Sequence, residues 1–232
     1  MSLHLLIPAA GEGARLGSDL PKALVPLAGR PLLSFTVSAF ESIPFLRSVV
    51  LAPRGREAAF SAVVGRRHPV RTGGETRAES VALGIAALEP GPRDLVVIHD
   101  AARPFVTADE IGRVIDAADQ CGAAIAVIPV ADTLKQWDGE WILGTLDRER
   151  IVAAATPQVF RAEVLRRALE APPGTDEAAR CEAAGIQVAA VPVSRLAFKI
   201  TYPEDLAIAE AIARNLTPLP PLHVERGNVE DR

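Results

Sequence analysis

Short apolar runs alternate with amphipathic segments along most of the chain. Leu3–Ile7, Arg47–Ala52, Val70–Thr72, Asp94–His99 and Ala123–Pro129 have the length and apolar content of buried strands. Between them, Leu32–Ser42, Arg56–Arg66, Arg77–Leu88 and Ala108–Gln120 have the longer pattern of helices. Strand and helix in strict alternation predict an α/β fold: a Rossmann-like, mostly parallel sheet with helices on both faces. Ligands in such sheets bind beyond the carboxyl ends of the strands.

The alternation breaks after Val130. Thr133–Lys135, Trp141–Leu143 and Ile151–Ala155 read as short extended pieces around a turn at Asp138-Gly139, so a projecting β-arm is expected at about 132–153. Helices resume at Arg161–Glu170 and Asp176–Ala184. Strands are expected at Gln187–Pro192 and Ala197–Ile200, and a last helix at Pro203–Arg214, opened by Pro203. Residues 1–216 are expected to form a single domain, and the proline-containing polar tail 217–232 to be disordered.

The first strand runs into Pro-Ala-Ala-Gly-Glu-Gly-Ala-Arg-Leu-Gly-Ser-Asp-Leu-Pro-Lys, residues 8–22. Gly11 and Gly13 let the backbone turn tightly and approach a ligand. Successive backbone N–H groups in such a loop make an anion-binding concavity, and Arg15 and Lys22 bring two cations to it. The arrangement points to a polyphosphate site. It is not the Walker loop, because Gly17 is followed by Ser18 where that motif needs lysine. It is not the dinucleotide fingerprint, because Leu16 stands at the third glycine position and Pro21 interrupts the helix that should follow. The loop alone also suits a plain glycine-rich turn with solvated charges.

Two further stretches add chemistry. His99-Asp100-Ala101-Ala102-Arg103-Pro104 follows the apolar strand, so the Asp100 carboxylate sits at a ligand-facing strand end. Mg²⁺ takes few carboxylates and completes its shell from phosphates and water, which makes Asp100 a candidate ligand for a triphosphate-bound ion. Capping the next turn and pairing with Arg103 is the structural alternative, and His99 reads as a hydrogen-bonded strand end without catalytic duty. Gly73-Gly74-Glu75-Thr76-Arg77-Ala78-Glu79-Ser80 enters a helix. Thr76 suits its N-cap, but a cap does not explain two glycines followed by Arg77 and Ser80 on one helical face. A nucleobase or ribose against Gly74 and Ser80 does. Thr156-Pro157-Gln158 and Thr175-Asp176-Glu177-Ala178 are weaker, since Thr175 also reads as an ordinary N-cap. Lys199, between apolar neighbours, either snorkels to water or aims into a site.

Composition narrows the partners. The 232 residues are 49% hydrophobic, enough for a sizeable core, and carry a net charge of −4, which argues against a general nucleic-acid binder. The two cysteines, Cys121 and Cys181, are far apart and form no metal-type pair, which fits a reducing cytoplasm. The N-terminus lacks the basic region of a signal peptide, and no apolar run is long enough to span a bilayer.

The first loop, Gly-x-Gly-x-Arg followed by Pro-Lys, resembles that of the nucleotidyltransferases that activate sugar and polyol phosphates. Together with Gly73-Gly74, Arg77, Ser80 and His99–Pro104, further pieces follow in order: Asp132-Thr133-Leu134-Lys135, Asp147-Arg148, Thr156-Pro157-Gln158, Thr175–Ala178, Lys199-Ile200-Thr201 and Pro203–Leu206. From about Leu3 to Arg214 the chain thus resembles the 2-C-methyl-D-erythritol 4-phosphate cytidylyltransferases of non-mevalonate isoprenoid synthesis. That resemblance implies a nucleotide-diphospho-sugar transferase type of fold and transfer of CMP from CTP to the methylerythritol phosphate. It implies that Ala9, Ala10, Gly11, Gly74 and Ser80 hold cytosine and ribose, with Gly13 and Arg77 also on the substrate. Arg15 and Lys22 would hold phosphates and, with Lys199, carry catalysis. Asp100 would bind Mg²⁺, with Ala101 and Arg103 beside it. Thr133, Arg148 and Lys199 would meet the polyol phosphate, and Thr156 and Thr175 would also line the site. It further implies a homodimer whose β-arms swap, so that Arg148 serves the partner's site. A sister enzyme acting on ribitol 5-phosphate or a sugar acid stays open as a rival. A glycosyltransferase is disfavoured, because Asp100-Ala101-Ala102 offers one carboxylate where Asp-x-Asp is usual. A silent nucleotide binder is disfavoured by the retention of both Lys22 and Lys199.

Overall fold

The structure, a computed structural model, describes residues 1–215 apart from 12 and 173, so the tail expected over 217–232 lies outside the described residues. Its elements in chain order are β1 (Leu3–Pro8), β2 (Pro26–Leu27), β3 (Arg30–Pro31), α1 (Leu32–Ser38), β4 (Arg47–Ala52), α2 (Glu57–Val64), β5 (Val70–Thr72), α3 (Arg77–Leu88), β6 (Leu95–Ile98), α4 (Ala108–Cys121), β7 (Ala123–Pro129), β8 (Lys135–Trp137), β9 (Ile142–Thr145), β10 (Val152–Arg161), α5 (Ala162–Leu169), α6 (Glu177–Ala183), β11 (Ala189–Pro192) and α7 (Pro203–Asn215). Seven strands form one sheet in the order β11-β7-β10-β6-β1-β4-β5. β1 pairs in parallel with both β4 and β6, β4 with β5, and β7 with β11, while β10 alone runs antiparallel between β6 and β7. The chain therefore leaves β1 first towards β4 and β5, then returns to β6 on the other side. That reversal opens a crevice at the carboxyl ends of β1 and β6.

Side-chain alternation along the strands makes two cores. Leu5 and Ile7 of β1 with Val50, Leu95 and Val97 bury one face against α1, α2 and α4, through Leu33, Phe40, Phe60, Ile111 and Val114. Leu6, Leu51, Val96 and Ile98 point the other way and pack on α3, α5 and α6, through Val81, Ile85, Leu165 and Cys181. A third, smaller cluster joins Leu16, Val25, Leu27, Phe35, Phe105, Ile200 and Ala209. It fastens α7 and the segment before it to the loop that follows β1.

Three sequence expectations change. Ile151–Ala155 was expected to belong to the arm, but Val152–Arg161 is one ten-residue strand of the main sheet. It passes Pro157 where its register with β7 shifts between Ala154 and Gln158; a proline has no N–H to give a ladder, and an irregularity asks for none. Ala197–Ile200 is not a strand. Arg195–Ala197 forms a 3₁₀ turn, and Ile200 is tied by one bond, its N–H to the Ala102 carbonyl at 3.0 Å. The tiny β2–β3 hairpin was not expected, because two-residue strands show no alternation. Its turn holds Ala28 at φ +48, and the Ala28 N–H donates to Glu210 of α7 at 2.7 Å, an external bond that offsets the left-handed backbone. Elsewhere β4, β5, β7 and α3 have the bounds that hydrophobic pattern predicts.

β8 and β9 form a separate antiparallel pair outside the main sheet. Around it Trp137, Trp141, Ile142 and Leu143 are each more than half exposed. A lone hairpin with that much apolar surface is marginal in water.

Helix α3 lies unusually close to β1. A Cβ added at Gly84 would meet the Leu6 side chain, its Cγ at 2.7 Å, with Leu51 Cδ2 at 3.2 Å. Both leucines are fully buried and cannot swing away. Gly84→Ala gains about 1 kcal/mol of helix propensity but overpacks the core at a cost of about 1–3 kcal/mol. The expected result is a lower urea midpoint at unchanged m-value.

Candidate active site

The crevice is built from four chain segments. β1 ends at Pro8 and the loop beyond it folds back on Lys22. Gly13 makes that fold possible: its φ is +73, and a Cβ there would stand 2.6 Å from Lys22 Cβ. Leu16 and Val25, both buried, anchor the loop in the third cluster, where Ile200 anchors the Lys199 segment. Arg15 and Lys199 are thus fixed to one small apolar body. The other two segments are the entry to α3, capped by Thr76, whose hydroxyl accepts from the Glu79 N–H at 3.1 Å, and the turn after β6.

Asp100 is the electrostatic centre. Lys199 Nζ donates to Oδ2 at 2.7 Å, and Arg77 Nε donates to Oδ1 at 3.2 Å. Arg103 Nε stands 4.0 Å from Oδ2. Burial by itself would raise the Asp100 carboxyl; the charges of Lys199, Arg77 and Arg103 and the Lys199 hydrogen bond overcome it and hold the group far below the usual carboxylate range. Arg77 also forks onto buried Glu177, with Nη1 at 2.9 and 2.7 Å from the two carboxylate oxygens. Burial pushes Glu177 up, and Arg77 works against that. Asp100, Arg77 and Glu177 therefore form one chain of charges linking β6, α3 and α6.

The backbone of Asp100 is held from behind. The antiparallel register that sets Gln158 opposite Ile98 brings Thr156 opposite Asp100. The Asp100 N–H donates to Thr156 Oγ1 at 3.0 Å, and that hydroxyl lies 3.1 Å from His99 Nδ1. His99 Nε2 lies 3.0 Å from the Arg103 carbonyl, which can only accept. The proton is therefore assigned to Nε2, and Nδ1 accepts from Thr156. Burial pulls His99 down to about 4, so the imidazole is neutral and the relay complete.

The resulting cleft, of about 240 Å³, is lined by Ala9, Ala10, Gly11, Gly13, Arg15, Lys22, Gly74, Arg77, Ser80, Asp100, Ala101 and Lys199 among the residues that sequence reasoning picked out. Pro8, Ala23, Glu75, Thr76, Ala102 and Thr201 complete the wall. Five picked residues stand elsewhere. Thr156 is 3% exposed, with its hydroxyl spent on Asp100 and His99. Arg103 lies behind the wall, its Nη1 donating to the Ala197 carbonyl at 2.8 Å and its Nη2 to Ala154 at 3.3 Å. Thr175 is exposed before α6, where Asp176, not Thr175, is the N-cap. Thr133 and Arg148 are exposed at the base of the β8–β9 hairpin, with Arg148 Nη1 donating to the Ala131 carbonyl at 2.6 Å. Glu177 was missed as a partner of Arg77. Its only sequence signal was a first-turn acid, which ordinary helix chemistry already explained.

Four cations, Arg15, Lys22, Arg77 and Lys199, face two carboxylates, Glu75 and Asp100, in this cleft. Arg77 and Lys199 are paired with Asp100 and, for Arg77, with Glu177, which leaves Arg15 and Lys22 without an ion pair among the described residues at the cleft, a site for an anion. Arg15 makes no ion pair among the described residues and rests over the Tyr202 ring, 5.7 Å from its centroid. Lys22 is pulled down to about 8 by burial first, then by the charges of Lys199 and Arg15.

An anion bound beside Lys22 raises its pKa again. At pH values above about 8, binding therefore takes up a proton, and affinity falls as pH rises. Titration with inorganic tripolyphosphate at pH 8.5 in two buffers of different ionisation heat is expected to show uptake of a fraction of one proton, absent in Lys22→Met. Equal heats in the two buffers would refute the coupling.

A family model described as IspD, 2-C-methyl-D-erythritol 4-phosphate cytidylyltransferase, matches residues 3–215. A relative of that name from Halalkalibacterium halodurans is 37% identical over 223 residues, spanning 91% of this chain and 97% of the relative. Another, from Ralstonia nicotianae, is 42% identical over 233 residues and 92% of each chain. The crystal structure of the 2-C-methyl-D-erythritol 4-phosphate cytidylyltransferase from Thermus thermophilus aligns with a TM-score of 0.78 at 39% identity, covering 92% of this chain and 100% of that one. With a match of this extent in sequence and in structure, the chain belongs to the IspD family of 2-C-methyl-D-erythritol 4-phosphate cytidylyltransferases.

Proposed function

We propose that this cleft binds CTP and passes its cytidylyl group to 2-C-methyl-D-erythritol 4-phosphate. The observation that carries the reading is the meeting of Arg15, Lys22, Arg77 and Lys199 at one switch-point cleft in a chain of this family. An oxygen of the acceptor phosphate attacks the α-phosphorus in line. The bond from that phosphorus to the bridging oxygen of the β-phosphate breaks, and pyrophosphate leaves with the electron pair. A phosphate is already ionised at neutral pH, so no general base is needed. The protein's work is to align two anions and offset their repulsion.

In this reading Lys22 and Lys199 neutralise charge that builds on the five-coordinate phosphorus. Arg15, resting over Tyr202, holds the departing β- and γ-phosphates. Ala9, Ala10, Gly11, Gly13, Gly74 and Ser80 leave a flat slot for cytosine and ribose. Arg77 and Ala101 border it. Asp100 is where Mg²⁺ would be held. Both Asp100 oxygens already accept from Lys199 and Arg77, so an ion there would use their remaining lone pairs and take most of its shell from phosphate oxygens and water. No group of three or more His, Cys, Asp and Glu among the described residues provides an all-protein cage. When bound, the ion supplies positive charge to the phosphate oxygens. Arg103 and Thr156 act one layer behind, on the position of Asp100.

Thr133 and Arg148 belong to the second substrate. The apolar, exposed hairpin that carries them suits a homodimer in which it covers the partner's cleft and delivers Arg148 there. The two free cysteines suit a reducing, cytoplasmic setting.

Lys22→Ala is expected to lower kcat by about a hundredfold, or on the order of 3 kcal/mol, with little change in melting temperature. Near-wild-type turnover would remove Lys22 from the mechanism. Pyrophosphate release from CTP and Mg²⁺ is expected with 2-C-methyl-D-erythritol 4-phosphate and not with ribitol 5-phosphate; the reverse would move the acceptor to the sister enzyme's. If the hairpins swap, mixing and refolding the inactive Lys22→Ala and Arg148→Ala chains restores activity, because one site per mixed dimer regains both groups. No recovery would place Arg148 in its own chain's site.

A further inference from the structure

A second cleft, of about 290 Å³, opens at the other rim of the sheet, where β4 begins. Arg47, Arg66, Arg67 and Arg71 line it beside His68, and none of its lining residues is acidic. Arg47 pairs with Glu89 at 2.7 Å, while Arg66, Arg67 and Arg71 make no ion pair among the described residues. The floor is apolar, from Val49 and Leu88. Arg67 Nη2 donates to the Ile43 carbonyl at 3.3 Å, and the exposed Arg66, Arg67 and Arg71 gather at this one cleft without an acidic partner, in a chain that is acidic overall.

The segment that carries these arginines is pinned. Ser48 Oγ donates to the Arg67 carbonyl at 3.0 Å, and His68 Nδ1 lies 3.0 Å from the same hydroxyl. With the Ser48 proton given to Arg67, the His68 nitrogen is the donor. His68 is 3% exposed and neutral, since burial pulls it down to about 4. The Val50 N–H closes the clamp on the Pro69 carbonyl at 2.9 Å. The arginines are therefore presented on a fixed backbone. Guanidinium forks match phosphate oxygens in pairs.

We propose that this cleft is a second anion site, for a small ligand bearing a diphosphate group, distinct from the catalytic cleft. It lies four residues of β4 away from Ala52 and the Gly73 turn, on the order of 13 Å at strand rise. Helix α3 spans the distance, with Arg77 at one site and Leu88 at the other.

The test is calorimetric titration of inorganic pyrophosphate into the full chain, in metal-free buffer, with CTP saturating and no polyol phosphate present. One equivalent is expected to bind. The double variant Arg66→Ala/Arg71→Ala, at surface positions that leave the melting temperature and CTP-dependent turnover unchanged, is expected to bind at least about tenfold more weakly. Lys22→Ala is expected to keep this binding. No binding by the wild type, or equal binding by the double variant, would overturn the proposal and leave the arginines as guards of the β5 sheet edge. Binding lost in Lys22→Ala but kept in the double variant would assign the pyrophosphate to the catalytic cleft and overturn it equally.

Discussion

One buried carboxylate, kept ionised, organises the site. The Asp100 side chain is only 10% exposed, and an unpaired charge at that depth costs several kcal/mol. Its compensation comes from three places: Arg77 at the first turn of α3, Lys199 in the stretch before α7, and Arg103 on its own turn. Arg77 in turn satisfies Glu177 on α6. Removing Arg77 leaves buried Glu177 without its cation and takes one of three from Asp100, so the network ties α3, α6, the turn after β6 and the stretch before α7 together. Behind it, the neutral relay through Thr156 and His99 holds the backbone that carries the carboxylate.

The cations facing the cleft are under the opposite constraint. Lys22 has a lowered pKa in the folded protein, so the unfolded chain binds that proton more tightly. The resulting penalty on stability is fully present below about pH 8 and fades as pH rises towards the unfolded lysine value of 10.5. The folded state thus carries a repulsion that a polyphosphate relieves, and a ligand that binds only the folded state stabilises it by mass action. Gly13 belongs to the same compromise: its positive φ lets the loop press against Lys22 and keep the ammonium in the cleft.

Strand direction decides which residues can meet. Parallel β1 and β6 deliver the glycine loop and Asp100 side by side at one rim. The single antiparallel strand, β10, runs the other way and so brings Thr156 up against Asp100. The opposite rim receives the arginines of the α2–β5 connection instead. Two clefts lined by basic side chains are separated by a sheet whose central strands are packed in apolar side chains on both faces.

The sequence by itself determined the layered α/β fold, because apolar period and length distinguish buried strands from helices locally. β4, β5, β7 and α3 needed no tertiary information. It also determined most of the cleft wall, since Gly-rich turns, Arg15, Lys22 and Asp100 fall at strand ends, and strand ends of a doubly wound sheet converge. Only the tertiary structure decided what stands behind that wall. A threonine reads the same whether it touches a ligand or a buried backbone N–H, and the register of β10 settled Thr156. An acid in a first helical turn reads as a cap partner, and the packing of α6 on α3 made Glu177 the counter-ion of Arg77. Ala197–Ile200 has strand-like residues but meets no neighbouring strand to pair with. Local pattern encodes which face of an element is buried; which distant charge it is buried against depends on long-range packing that no local pattern contains.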